Sequence, residues 1–457
     1  MWVRCAPLAF AFIGWCGVAP LMAAERPPQD VEVGRTAYVQ SCARCHGATA
    51  HGDGLDAKRF YPRPRDLTTG VYKFRSTASG TPPSDDDLFR TISHGLPGSN
   101  MPDWQHLDEP VRWHLVDYLK SLSPIFQQTQ PMPVTVAADP GPARAERAKG
   151  KGLYESLGCA ACHGPSGRAN GPSAAGLVDD WGMPVRPADL TKAWAYRGGS
   201  DPRSIMLRVL TGIDGAGMPS YAEALSSEDA WHLAYYVESL QEPAHLHLIA
   251  HAQRVDGELP ATVDDPRWNA AERTDVPVRN AVGADGQWSA PATILAVAFQ
   301  AVFNDDAIAF RFLWNDPTED RHAPRDALAL ALKPEEARGD VVTLQAWPTA
   351  TSPTLDLCVW SAQTGRAMEM MARDWAGAVT GTAHDVAELA GAARYADGRW
   401  QMVVQRPLGP HAPRGAAVIT PQTFTSIAMA VWDGGNATAR AVSPWVDVML
   451  RTSRRVR

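Results

Sequence analysis

The sequence predicts a multidomain chain in which two all-α domains are followed by an all-β antiparallel sandwich. Three observations carry this. The pentapeptides "CARCH" (residues 42–46) and "CAACH" (159–163) each follow a helix-patterned segment, "VGRTAYVQS" and "KGKGLYESLG". Each is followed much later by an amphipathic stretch, "EPVRWHLVDYLKSL" or "SEDAWHLAYYVESL", so one helical unit is written twice. After residue 242 the texture changes to short β-branched or aromatic runs between turn residues, such as "AVFNDDAIAFRFLWNDP" and "GRWQMVVQRPL". A length of 457 residues is too great for one ordinary core.

The N-terminus comes first. Arg4, the apolar stretch Ala6 to Leu21 and the small pair Ala23–Ala24 before Glu25 read as a secretory signal over residues 1–24. The stretch is interrupted by Gly14, Gly17 and Pro20 and is short for a spanning helix; an uncleaved anchor is the alternative. Bulky Trp15 argues against a lipoprotein cleavage box. Residues after the signal contain no convincing membrane span, so the mature chain is expected to be exported to the periplasm. A formal charge of −7 excludes nucleic acid as a natural partner. The 37 prolines and 16 tryptophans suggest ordered loops and aromatic packing around something large or flat, of which a cofactor is one example.

Of seven cysteines, Cys5 and Cys16 lie in the signal and Cys358 stands alone. Cys42, Cys45, Cys159 and Cys162 form two Cys-x-x-Cys pairs, each followed directly by a histidine, His46 or His163. A redox disulfide or half a zinc site would leave that histidine incidental. Cys-x-x-Cys-His is the attachment motif of c-type haem, in which two thiols add to the porphyrin and the histidine is the proximal iron ligand. A second axial ligand is found at equal spacing. Met101, in "SHGLPGSNMPDW", lies 59 residues beyond Cys42, and Met218, in "LTGIDGAGMPSY", lies 59 beyond Cys159. A thioether is a soft ligand suited to haem iron, and a Gly/Pro loop can hold it over the ring. His51, His94 and Met183 are the competitors for this role and read as surface or packing residues.

The two copies also share "PRDL" at Pro64–Leu67 and "PADL" at Pro187–Leu190. Trp113, Val116 and Leu119, like Trp231, Ala234 and Val237, recur at helical spacing and are expected to pack on the N-terminal helix of each copy. Residues 30–125 and 143–242 resemble class I cytochrome c domains. The resemblance implies a helical wrapper around each of two covalently bound haem c groups, with Cys42, Cys45, His46 and Met101 on the first and Cys159, Cys162, His163 and Met218 on the second. It implies electron transfer, which suits an iron with all six positions filled. Arg65, Arg75 and Arg197 are candidates to neutralise haem propionates. Residues 126–142, within the proline-rich run Pro124–Pro142, read as an extended, rather stiff linker. "AHLHLIAH", with His245, His247 and His251, reads as solvated linker, with a metal or further haem site as the alternative.

From residue 255 to 457 the strand-like runs, with "NDD" and "ADG" as hairpin turns, predict the sandwich. "DDPRWNAAERTDVPV", "YADGRWQMVVQRPL" and "AVWDGGNATARAVSPW" are similar to the haem-b-binding gamma subunit of ethylbenzene dehydrogenase and related molybdenum enzymes of the dimethyl sulfoxide reductase family. That family holds haem b between a methionine and a lysine. Here residues 339–360 contain no methionine and Arg440 stands at the lysine position, and guanidinium is a very poor iron ligand. The sandwich is therefore expected to fold without haem b, as a soluble fragment of roughly residues 255–457. Met368, Met370, Met371, Met402 and Cys358 are the sulfur donors left to a rearranged chain. The resulting expectation is an electron-transfer protein rather than a stand-alone enzyme. Its partners would be a molybdenum oxidoreductase on one side and a soluble cytochrome or terminal oxidase on the other. A haem enzyme acting on a small inorganic substrate, and a ligand-binding module with redox-reporting haems, are the alternatives.

Overall fold

The computed structural model describes residues 26–60, 62–247, 249–281, 293–322, 325–333, 354–372, 386–410, 416–421, 423–434 and 440–451. The predicted signal and the run "VVTLQAW" lie outside them. Two helical units come first. In the first, α1 (Val31–Ser41) is capped by Asp30, whose carboxylate accepts from Glu32 N and Val33 N, and it leads into α2 (Ala43–His46). Then follow α3 (Asp85–His94), opened by a Ser84/Asp87 capping box, and α4 (Glu109–Ser121). After the short α5 (Ile125–Gln128), the second unit repeats the order with α6 (Arg147–Ser156), α7 (Cys159–His163), α8 (Pro202–Thr211) and α9 (Ser227–Ser239).

In each unit the first helix packs on the last through a tyrosine pair, Tyr38 with Tyr118 (ring centroids 5.1 Å) and Tyr154 with Tyr236 (5.4 Å). The first tyrosine also donates its hydroxyl to the glycine carbonyl after the Cys-x-x-Cys-His motif, Gly47 O at 2.8 Å and Gly164 O at 2.7 Å. Around these pairs Leu115, Val116 and Leu119, or Leu233, Ala234 and Val237, are buried. Each fully buried Val or Leu contributes about 1.5–3 kcal/mol. Of the predicted tryptophans, Trp231 is buried in one core cluster with Tyr154 and Leu153 of α6. Trp113 stacks on Phe89 of α3 at 4.0 Å, and the Trp231 indole donates to Ala137 O at 3.0 Å. Beyond α5 the connector pairs with both units. Ala78 N donates to Met132 O (2.7 Å), Val134 N to Ser76 O (3.0 Å) and Tyr235 Oη to Asp139 Oδ1 (2.9 Å).

The remainder is β structure: β1 (Ile249–Arg254), β2 (Thr274–Pro277), β3 (Arg279–Asn280), β4 (Ala296–Phe303), β5 (Ala307–Asn315), β6 (Ala327–Leu332), β7 (Leu355–Ser361), β8 (Ala367–Ala372), β9 (Val386–Ala396), β10 (Arg399–Pro407), β11 (Phe424–Trp432), β12 (Arg440–Val442) and β13 (Val446–Arg451). The expected antiparallel sandwich is corrected here: the strands form one sheet that closes on itself. The ring runs β13-β1-β4-β5-β10-β9-β8-β7-β6-β11 and returns to β13. The physical reason lies in β1, which pairs in parallel with both β13 (Ile249 opposite Asp447) and β4 (Ala252 opposite Ala301) and so joins two edges that would otherwise stay open. This strand contains His251, so the histidine-rich segment is not wholly linker, and the domain begins before residue 255. The hairpins form at the expected turns. "NDD" links β4 to β5, with Asn304 Oδ1 accepting from Asp306 N and Ala307 N, and Asp397–Gly398 links β9 to β10 with φ of 51° and 67°.

The ring encloses a core of Phe299, Phe310, Phe312, Leu328, Leu330, Met402 and Met429 with three tryptophans, Trp314, Trp360 and Trp400, whose ring centroids lie 4.8–6.2 Å apart. Alternation along β6, β7 and β11 sends Ala329, Leu357 and Ala430 to a second apolar cluster on the outer face. Cys358 lies in the inner core. Beside it Arg406 pairs with Asp356 (3.0 Å) and Glu369 (2.7 Å), one buried cation shared by two buried acids. Met370 packs in the outer cluster, with Met368 against it, while Met402 is inside.

Candidate functional site

The repeated "PRDL" and "PADL" segments position the two histidines. His46 Nδ1 meets Arg65 O at 2.9 Å, and His163 Nδ1 meets Ala188 O at 2.9 Å. Each carbonyl is fixed from the next residue. Asp66 Oδ1 accepts from Thr68 N (2.9 Å) and Asp189 Oδ1 from Thr191 N (2.9 Å), which locks the turn that aims the carbonyl. Nδ1 therefore carries the proton, and Nε2 is left as a lone-pair donor. Burial lowers both imidazoles below the ordinary histidine range, against the opposing backbone hydrogen bond, and so favours the neutral form that binds a metal.

The cysteines in each pair are free thiols and not disulfide-bonded. Burial pushes the Cys42 thiol up to about 12 and raises Cys45 and Cys159 as well.

The methionine loops are built alike. Gly95 ends α3 and Gly212 ends α8, with φ of 63° and 65°. The next residue then closes the loop: Leu96 N donates to Met101 O (3.0 Å) and Ile213 N to Met218 O (2.9 Å). Three residues past each methionine the chain is tied back to the same helix, Trp104 N to Ile92 O (3.2 Å) and Tyr221 N to Val209 O (3.0 Å). The equal spacing seen in the sequence is thus one loop geometry made twice. In the first unit the Tyr72 hydroxyl and the Trp104 indole N–H are buried without a protein partner, as suits a pocket lining that awaits a further polar group. The donor set of two thiols, a carbonyl-oriented imidazole and a thioether fits haem c.

The competitors sit apart from this pattern. His51 is exposed and meets Asp66 and Thr68, His94 Nδ1 accepts from Gln105 Nε2, and Met183 N donates to Asp179 Oδ1 in a tight turn. Of the three arginines, Arg75 is fully buried and joins the two units: its guanidinium donates to Tyr72 O (3.1 Å) and Thr211 O (3.1 Å) and pairs with Asp214 at 2.7 Å. Asp214, in the Met218 loop, also accepts from Ser79 Oγ and Gly80 N. The Arg65 guanidinium lies 3.8 Å over the ring of Trp181. Beside that ring Asp180 N reaches Gly215 O at 3.4 Å, so Trp181 stands between the residue that orients His46 and the loop of Met218. Sequence reading missed Trp181 and Asp214. Trp181 lies in an insertion by which the copies differ, and Asp214 lies in the shared methionine loop at a position where the first copy has Pro97.

The second unit meets the barrel through Glu242. This carboxylate contacts Arg399 (2.5 Å), Lys192 (3.0 Å), Arg273 (3.6 Å) and Arg168 (3.7 Å). Burial would raise it, but Arg399 and Lys192 outweigh that and hold it at about 2. Asn315 on β5 adds a bond to Asp189.

Residues 147–241 match the family "Cytochrome c", and residues 29–119 match "Cytochrome C oxidase, cbb3-type, subunit III". The chain is 30% identical over 220 residues to the cbb3-type cytochrome c oxidase subunit CcoP of Azospirillum sp. (strain B510), covering 45% of this chain and 61% of that one. It is 28% identical over 207 residues to CcoP of Azospirillum brasilense, with the same coverage. The chain thus spans about three fifths of the curated relatives it matches. A solved structure titled Kuenenia stuttgartiensis reducing HAO-like protein complex Kustc0457/Kustc0458 is 43% identical, covers 48% of this chain and 100% of its own, and has a TM-score of 0.46. The chain therefore contains cytochrome c domains, which imply covalently bound haem c. Among the described residues no helix is long and apolar enough to cross a membrane.

Proposed function

We propose that the protein is a periplasmic dihaem c-type cytochrome that carries electrons between an oxidoreductase and a respiratory acceptor, with the barrel as its docking domain. The observation that carries this is the doubled constellation: Cys42, Cys45, His46 and Met101 in one unit, and Cys159, Cys162, His163 and Met218 in the other, each with the same Nδ1-to-carbonyl bond and the same closed methionine loop. Haem c supplies a one-electron couple at each set. The cysteines anchor it, the histidines offer Nε2, and the loops hold the thioethers in fixed positions. Arg75, Asp214 and Trp181 bind the two units face to face, which supports passage of an electron from one set to the other within the chain.

The cbb3-type oxidase named for the CcoP relatives supports a terminal oxidase as acceptor. The resemblance of the C-terminal part to the ethylbenzene dehydrogenase gamma subunit supports a molybdenum oxidoreductase as donor. Mass spectrometry of the exported protein should find two covalent haems; one or none would overturn the dihaem reading. Met101→Ala and Met218→Ala should each open one iron to carbon monoxide, and the wild type should bind it poorly. Two variants that bind it no better than wild type would refute the ligand assignment.

A further inference from the structure

Three aspartates meet in the barrel at the end marked by the tryptophans. Asp316 follows β5, Asp326 precedes β6 and Asp433 follows β11, and their carboxylate oxygens lie within 4.8 Å of one another. Their exposures are 0%, 0% and 2%. Their hydrogen bonds come from N–H donors. Asp326 Oδ2 accepts from Asp320 N and Trp400 Nε1, both at 2.8 Å, and its Oδ1 accepts from Gly434 N at 2.8 Å. Asp433 Oδ2 accepts from Thr293 N at 3.2 Å, and Asp316 Oδ1 from Thr318 N at 3.2 Å. Such donors favour ionised carboxylates, because an added proton would take up an oxygen that is already accepting.

A second feature points to a ligand. Asp316 Oδ2 is buried and, among the described residues, receives no N–H or O–H donor. A cation at 3.7 Å, Arg186, faces Asp433. It offsets part of the charge of Asp433. Burial, followed by Asp326 and Asp433, pushes Asp316 well above the ordinary carboxylate range, and burial lifts Asp326 to about 6. Three converging, dry acids need their charge offset by protons or by a cation, and a cation offsets it while every oxygen keeps its N–H donor.

We propose that Asp316, Asp326 and Asp433 bind one calcium ion. The three acids offer only oxygen, the ligand of hard cations, whereas zinc prefers nitrogen and sulfur. Magnesium dehydrates reluctantly and keeps several waters, which a cluster this deeply buried does not favour. The ion would tie the ends of β5, β6 and β11 together at one mouth of the barrel. Arg186 lies two residues before Ala188, whose carbonyl takes His163 Nδ1, so the site adjoins the second cytochrome unit.

The test uses the full-length exported protein with its haems. Elemental analysis of protein purified without chelator should give one calcium per chain. After chelation and dialysis, calorimetric titration with calcium chloride should show one site, and the ion should raise the unfolding temperature. Asp316→Asn keeps the shape and removes one charge. It should weaken calcium binding by about 100-fold or more, since even outer-shell changes at metal sites cost 10–100-fold. It should also make the unfolding temperature indifferent to chelator while the haem spectrum stays unchanged. Wild-type protein with no calcium and no response to chelator overturns the proposal, and so does stoichiometric zinc in place of calcium. Asp316→Asn that binds calcium as tightly as wild type overturns it too. The wild-type measurements decide the matter even if the variant does not fold.

Discussion

Gly95 and Gly212 show how much of each redox site rests on one backbone atom. With φ near +65°, a Cβ at Gly95 would come within 2.5 Å of Pro102 C, and one at Gly212 within 2.6 Å of Ser220 N. Gly212→Ala should destabilise the second unit by about 1–3 kcal/mol and loosen Met218, seen as carbon monoxide binding at one iron in a variant that still carries two covalent haems. Gly152→Ala, in α6 with open space around it, is the control and should stabilise by about 0.5–1 kcal/mol. The ligand candidates were legible at this scale because attachment chemistry needs fixed residue types at fixed spacing. The carbonyl partners were half legible: "PRDL" and "PADL" stood out as repeats, but not as the turns that orient His46 and His163. Trp181 and Asp214 were illegible, because their role is a contact across units that no local spacing encodes.

At the scale of elements, the joint between α9 and the barrel is an ion cluster centred on Glu242. Its carboxyl titrates at about 2 in the folded chain against 4.5 ordinarily, so its stabilising effect is full above pH 4.5 and is lost as pH falls from 4.5 toward 2. Glu242→Gln should cost about 2–3 kcal/mol at neutral pH, discounted for partial exposure. The difference from wild type should shrink to nothing near pH 2. Acid unfolding curves of the two proteins would check this, and parallel curves would contradict it. The helices and hairpins were legible from period and turn residues. Strand β1 was not, since "IAHAQR" has a weak alternation and three polar residues, and its pairing partners lie far along the chain. For Trp113, helical period finds an apolar face but not the neighbour that covers it, Phe89 of α3.

For the whole molecule, the closed ring makes the boundary at 255 a costly place to cut. A fragment of residues 255–457 lacks β1, which leaves the edges of β4 and β13 unpaired, whereas one beginning at 244 keeps the ring. The shorter fragment should aggregate or unfold at lower temperature, as light scattering and thermal melts would show; equal behaviour would mean that the seam contributes little. The same seam imposes an order of events on a chain made from its N-terminus. The strand that seals the ring emerges directly behind the second helical unit, and its partner Asp447 follows 198 positions after Ile249. Contacts of that separation form late, since the loop entropy between them must be lost first. Both helical units, by contrast, hold nearly all their pairings within about a hundred residues of sequence, and they can mature while the barrel is still an open sheet with β1 exposed. Until the last strand arrives, β1 offers its backbone to any passing edge, so the interval between the emergence of residue 254 and that of residue 446 is when this protein depends most on a chaperone.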